Sequence, residues 1–276
     1  MPSPVSSDEH LVSLAQSGDM SALNALIRQH QPWVFNLALR MVWRRDVAED
    51  ATQEILVKAV THLGSFEGRS KFSTWLHRIA INHLLNVQKS EMEQKAMTFT
   101  DMGASLDEVI ANDLPHDAIL FVEEARLGCI TAMLMCLDRR QRLAFILGEV
   151  MGEDSATSAA AMEIKPDHFR QLLSRARRDL YQFMNEKCGL VNKSNPCRCA
   201  RKASGFMQNG WLDPANLQFT KDRIAKVEKA APDHLRELEA LDQQHASLYR
   251  DQPMLSGPDI ASRLRDLIEG TGFAKT

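Results

Sequence analysis

Apolar positions recur at three- and four-residue intervals from Leu23 onward: Leu23, Leu26, Ile27, His30, Val34, Leu37, Ala38 and Met41. An α-helix places such positions on one stripe, because 3.6 residues make a turn. Pro32 lies inside the stripe and lacks an amide hydrogen, so it is expected to kink or divide the helix. "RRDVAEDATQEILVKAVTHL" predicts a second helix, with Asp46 as its cap and acids in its first turn. "GSFEGRSKFS" is a glycine-punctuated loop. After it, Trp75, Leu76, Ile79, Ala80, Leu84 and Val87 share one face of a third helix.

The period then fades. Residues 97–118 are polar, acidic and weakly periodic, as a linker would be. Helical spacing resumes with Leu127, Ile130, Leu134 and Leu137, and again with Leu143, Ile146, Leu147 and Val150. "SATSAAAM" and a break at "EIKP" precede a long helix with Phe169, Leu172, Leu173, Ala176, Leu180 and Phe183 on one side. Two helices joined by a short turn, the second one basic, fit a helix-turn-helix. A plain helical hairpin has the same pattern. Near the end, "RIAKVEKAAPDHLRELEALDQQHASLYRDQP" and "PDIASRLRDLIEG" predict amphipathic helices with proline-marked turns. The expected fold class is all-α.

Composition agrees. The 276 residues are 44% apolar and 25% charged, with only two tyrosines, which suits a helical chain of two small domains and an extra segment. No run of about 18 apolar residues exists and the start lacks a secretion-signal layout, so no membrane association is expected. Five cysteines in a chain this long favour a reducing cytoplasm over a disulfide scaffold.

The net charge of −3 hides a split. Residues 64–89 carry Arg69, Lys71, Arg78 and Lys89 against Glu67 alone; residues 165–187 carry six Lys or Arg against three acids. Residues 96–125 between them contain no Lys or Arg. Two basic blocks with an acidic spacer can hold a polyanion at two places, or can be ordinary solvated faces.

The motifs narrow this. "DVAEDATQEILVKAVTHLGSFEGRSKFSTWLHRIAINHLLN" resembles the core-binding and promoter-melting domain of bacterial extracytoplasmic-function (ECF) sigma factors, in its "AED-x-x-QE" helix and its "F-x-G-x-S-x-F-x-TWL-x-RIA-x-N" loop and helix. Gly152 to Arg177, ending in "LSRARR", resembles the promoter-binding helix-turn-helix of the same family. The resemblance implies a core-binding and minus-ten domain over 20–92, an acidic linker over 93–122, and a minus-thirty-five domain over 123–187. It implies a non-catalytic initiation factor whose partners are core RNA polymerase, promoter DNA and, in some cases, an anti-sigma factor. Asp50, Gln53 and Glu54 would contact polymerase, with Ile55, Val57 and Val60 supplying apolar surface.

Phe66, Arg69, Lys71, Trp75, Arg78 and Asn82 would meet the melted minus-ten strand, since a flipped base needs a pocket and nearby cations. Phe72 and Trp75 also sit where a core would want them. Pro166, His168, Arg170, Gln171, Ser174 and Arg175 would face the minus-thirty-five duplex, Arg and Gln suiting guanine and adenine edges. Three positions depart from the family pattern: Glu163 where glycine is common, Ser158 where a bulky aliphatic is common, and Lys165 where serine often caps. The linker would either mimic nucleic acid in the polymerase channel or serve as a solvated tether. The competing function is a helix-turn-helix regulator that does not bind core polymerase.

The match ends at Lys187, and residues 188–276 form a cysteine-containing extension with a regulatory role in view. Cys188, Cys197 and Cys199 surround a turn set by Asn195 and Pro196. Three thiolates could hold zinc or copper with a fourth ligand such as His168 or Cys129. They could equally form a redox switch or be structural. No cofactor is required by the sigma reading. Cys129 and Cys136, one heptad apart, read as packing residues.

Overall fold

The stripes fold as helices that bury them. A computed structural model describes residues 8–87, 97–109, 119–220, 249, 254–255 and 257–260. Among the described residues there are ten α-helices and no strand, only an isolated bridge between Cys188 and Cys197.

The front module starts earlier than the periodicity indicated. Helix α1 (Asp8–Gln16) is too short for its pattern to stand out, yet it buries Leu11 and Val12. Its Asp8 accepts hydrogen bonds from Gln29 Nε2 at 2.7 Å and, at 3.1 Å, contacts His30 Nε2. Helix α2 (Met20–Val42) is capped by Asp19, which accepts from the Ser21 and Ala22 amides. Pro32 does not divide it. One amide is forfeited there, while Asn36 Nδ2 donates to Pro32 O at 2.8 Å, and burial of Val34, Phe35 and Leu37 outweighs the loss.

Helix α3 (Arg45–His62) has Arg44, not Asp46, at its cap position. Asp46 lies in the first turn and pairs with Arg44, whose hydrogen bond holds the Asp46 carboxyl below its ordinary range. A 3₁₀ turn (Leu63–Ser65) and the loop then lead to α4 (Phe72–Asn86).

Part of the expected linker is a packed helix. In α5 (Phe99–Glu108), Thr98 and Asp101 form a reciprocal capping box. Met102 and Leu106 are buried, and Phe99 tilts against Phe183 at 5.2 Å. Two of the acids that mark this stretch serve the helix: Asp101 caps it, and Asp107 pairs with Lys187 Nζ at 2.6 Å. Residues 110–118 lie outside the described residues.

The back module contains α6 (Ile119–Met135), α7 (Arg139–Phe145) with a π turn at Ile146–Val150, α8 (Ser155–Ala161) and α9 (Pro166–Lys187). Two arginines of α7 reach into the front module. Arg139 Nη1 donates to the carbonyls of Leu85 at 3.1 Å and Val87 at 2.6 Å, at the end of α4. Arg142, 1% exposed, donates to Met41 O near the end of α2 and to Leu134 O and Leu137 O at the end of α6. Helix α4 also packs on α8.

The extension contributes α10 (Cys199–Gln208), packed on α6. Beyond it the Glu124 carboxylate accepts from the Gln218, Phe219 and Thr220 amides. The helices expected over 223–253 and 258–270 fall largely outside the described residues. Tyr249 is fully buried edge-on to Phe145 at 4.9 Å. Leu255 is tied to α2 by both its amide hydrogen and its carbonyl, each bonded to the side chain of Asn36 at 3.0 and 2.9 Å.

Candidate functional site

Three surfaces carry the residues singled out by the sequence. The first is the outer face of α3. Ala48, Ala51, Thr52, Ile55, Leu56 and Ala59 turn inward, which leaves Asp50 and Glu54 exposed and Gln53 half-buried. The three expected polymerase contacts thus lie side by side on one solvent-facing stripe. Ile55 is fully buried and offers no outer surface, correcting that expectation; Val57 and Val60 remain partly exposed.

The second is the loop before α4. Gly68 adopts φ 71, a left-handed backbone that glycine takes without strain. From α1, Gln16 Nε2 donates to the carbonyls of Leu63 and Phe66, both at 2.9 Å, and so fixes the near end of the loop. Phe66, Phe72 and Trp75 form an aromatic trio with centroids 5.3–5.8 Å apart. Phe72 is core, whereas Phe66 and Trp75 keep part of their surface open beside it. Arg69 and Lys71 are exposed, Arg69 paired with Glu67. Asn82 is exposed along α4, and Arg78 pairs with Glu163 of the back module at 3.5 Å. This loop can present aromatic walls and cations to a strand.

Nearby, His77 stacks on Trp33 at 3.4 Å between centroids and lies 3.9 Å from Glu153. Burial, aided by the neighbouring His30, pushes its imidazole down to about 4.

The third is α9. Phe169, Leu172, Leu173, Ala176, Leu180 and Phe183 are buried, so Pro166, His168, Arg170, Gln171, Ser174 and Arg175 all face solvent. Asp167, Arg170, Gln171, Ser174 and Arg175 share one shallow concavity. Pro166 occupies the first turn, where its missing amide hydrogen is no loss. Lys165 makes no side-chain cap, as its chemistry implies. The turn before it places Glu163 at φ 55, a left-handed position, which is why glycine would suit it. Ser158, 1% exposed, keeps a hydroxyl with no hydrogen-bond partner among the described residues, where an aliphatic side chain would simply pack. Arg177 is a structural member of this module: it and Tyr181 bond the buried Glu149.

The cysteine loop is a packed knuckle. Cys188 is buried and its carbonyl accepts from the Asn192 amide at 3.0 Å. Arg198 donates to Cys197 O at 2.9 Å and Lys193 O at 2.8 Å. A Cβ on Gly189 would strike Arg198 and Cys197 O, so that position requires glycine for close approach. Burial raises the Cys197 thiol, and raises Cys129 further with Cys199, Cys197 and Cys188 nearby. The thiols converge, yet among the described residues no three His, Cys, Asp or Glu side chains are placed to hold a metal ion. Cys136, pushed up to about 12 by burial, lies in the turn just after the helix that carries Cys129.

Sequence spacing did not find Arg139, Arg142, Asn36 or Glu124. Each serves backbone groups far away in the chain, and no local period marks such a role. Among the described residues no helix is long and apolar enough to cross a membrane.

Comparison with known proteins places these surfaces in context. Residues 26–92 match the Sigma-70 region 2 model. The ECF RNA polymerase sigma-E factor of Haemophilus influenzae is 31% identical over 179 residues, covering 62% of this chain and 91% of that protein. That of Escherichia coli K12 is 32% identical over 178 residues, covering 62% and 90%. Among solved structures, CnrH in complex with the cytosolic domain of CnrY aligns with TM-score 0.49 at 20% identity, covering 65% of this chain and 97% of that one. This chain belongs to the ECF sigma factor family.

Proposed function

We propose that this chain binds core RNA polymerase and directs promoter-specific initiation, and that it does so in the cytoplasm without catalysis of its own. The observation that carries the reading is the family likeness, which spans nearly the whole length of its sigma-E relatives. The stripe of Asp50, Gln53 and Glu54 docks on polymerase. Phe66, Arg69, Lys71, Trp75, Arg78 and Asn82 hold the melted minus-ten strand. Pro166, His168, Arg170, Gln171, Ser174 and Arg175 present the minus-thirty-five reading face. A helix-turn-helix regulator that ignores polymerase has no use for the region 2 block and is not favoured. An anti-sigma protein belongs among the candidate partners.

The two promoter elements lie roughly 25 base pairs apart, about 85 Å at 3.4 Å per pair. Helix α4 nevertheless packs on α8, with Arg78 and Glu163 3.5 Å apart. The modules must therefore part before both elements are engaged. We propose that the extension regulates this step, since Tyr249 is buried in the back module while Leu255 is bonded to α2. The cysteine knuckle supports the arrangement by packing, with Cys188 buried and Arg198 bonded to the carbonyls of Cys197 and Lys193.

Affinity capture with core polymerase followed by run-off transcription tests the reading. Capture together with new, defined start sites supports it. Duplex binding without capture rejects it. Deleting residues 249–276 should raise promoter-specific transcription; unchanged output would reject regulation by the extension.

A further inference from the structure

A cavity of ≈ 140 Å³ lies where the extension meets both modules and α5. Trp43, Met102, Ala132, Phe206 and Phe219 are among its walls, which are mostly apolar. An apolar space near this size, about 150 Å³, accepts a single aromatic ring.

Three features make it more than a packing gap. Trp43 closes α2 as a left-handed cap at φ 65, a strained backbone for a bulky side chain. Its indole Nε1 is shut off from solvent and has no hydrogen-bond partner among the described residues. The same holds for Oε1 of Gln218, another wall residue. One is a donor without an acceptor and the other an acceptor without a donor. The only carboxylate in the wall among the described residues, Glu124, is already engaged by three backbone amides and the Thr220 hydroxyl, so it has no call for a cationic ligand.

We infer that this cavity binds a small, uncharged aromatic molecule bearing one hydroxyl, of phenol or cresol size. The ring fills the apolar space. Both atoms are shut off from the cavity as it stands, so each side chain must turn before the hydroxyl can accept from Trp43 Nε1 and donate to Gln218 Oε1. Because α10 and the 211–220 segment form one wall, occupancy would tighten the extension on the sigma modules. The binding claim is independent of the sigma reading and is tested without polymerase or DNA.

The full chain is titrated with p-cresol and with toluene, which differ by the hydroxyl, reading thermal midpoint and tryptophan fluorescence. At tenfold excess over Kd, p-cresol should raise the midpoint by about 3 °C. Toluene should bind more weakly. Trp43→Phe should lower p-cresol affinity about five- to tenfold, the size of one hydrogen bond, and leave toluene unchanged. Ala132→Leu fills the space and should abolish both responses. If that variant is itself unstable, Gly128→Ala serves: its added methyl meets only Phe219, at 3.6 Å, and should weaken both ligands. No response to either compound, or a response that survives filling, overturns the site. Equal affinity for the two compounds overturns the roles of Trp43 and Gln218.

Discussion

Replacing Glu163 by glycine isolates one turn of the helix-turn-helix. At φ 55 the Glu163 side chain strains the backbone, and left-handed geometry costs a residue with a Cβ about 1 kcal/mol. Its carboxylate also pairs with Arg78 at 3.5 Å, but both side chains are about half exposed, so the pair is worth no more than about 0.5 kcal/mol. Glu163→Gly relieves the strain and loses the pair. Glu163→Ala loses the pair and keeps the strain. The two variants should therefore differ by about 1 kcal/mol, or about 2–3 °C in thermal midpoint, with glycine the more stable. Scanning calorimetry of the full chain reads this directly. A glycine variant melting at or below the alanine variant would refute the left-handed turn. Both variants also release Arg78 from the back module, so both should raise run-off transcription from a cognate promoter to the same degree. A rise in only one would separate the ion pair from module opening.

Other outcomes follow from single groups. His77 is held near 4 in the folded chain and returns to about 6.5 on unfolding. The unfolded chain therefore binds the extra proton, and stability present above pH 6.5 is lost as pH falls toward 4, on the order of 3 kcal/mol in all. His77→Phe keeps a ring on Trp33 and should flatten the urea midpoint between pH 7 and 4.5; an unchanged slope would exonerate His77. Ser158→Ala removes a buried, unpartnered hydroxyl and should stabilise the chain by about 1 kcal/mol, measured by urea unfolding. Asn36→Ala leaves Leu255 without its two side-chain bonds, so limited proteolysis should cut near 250–260 several-fold faster, whereas an unchanged rate would mean the tie is negligible. Arg170→Ala should weaken a specific minus-thirty-five duplex by about 1–3 kcal/mol in gel-shift titration, with little effect on random duplex.

Helices longer than about fifteen residues were legible because their stripes repeat several times: α2, α3, α4 and α9 follow the apolar positions read from the chain. The nine-residue α1 offers too few repeats, and α5 is obscured by its acids, of which Asp101 caps the helix and Asp107 pairs with Lys187. The outward placement of Asp50, Glu54, Arg170 and Gln171 followed from periodicity, since burying one face settles the other. Asp46 is not the cap because the helix already starts at Arg45, which puts Asp46 inside the first turn. Ile55 failed as a contact because a helix face is narrower than a motif. The contacts joining the modules were invisible, because a side chain that reaches a carbonyl a hundred residues away leaves no local signature.

Arg139 and Arg142 stand one turn apart on α7, and each closes a different helix end in the front module, α4 for one and α2 for the other. Sliding the halves apart cannot break these plugs one after another, because a rigid turn carries both. Withdrawal strands several carbonyls together, so half-released forms are penalised. Release should thus behave as a latch with two positions, and a population of molecules would divide between shut and free rather than drift through intermediate spacings.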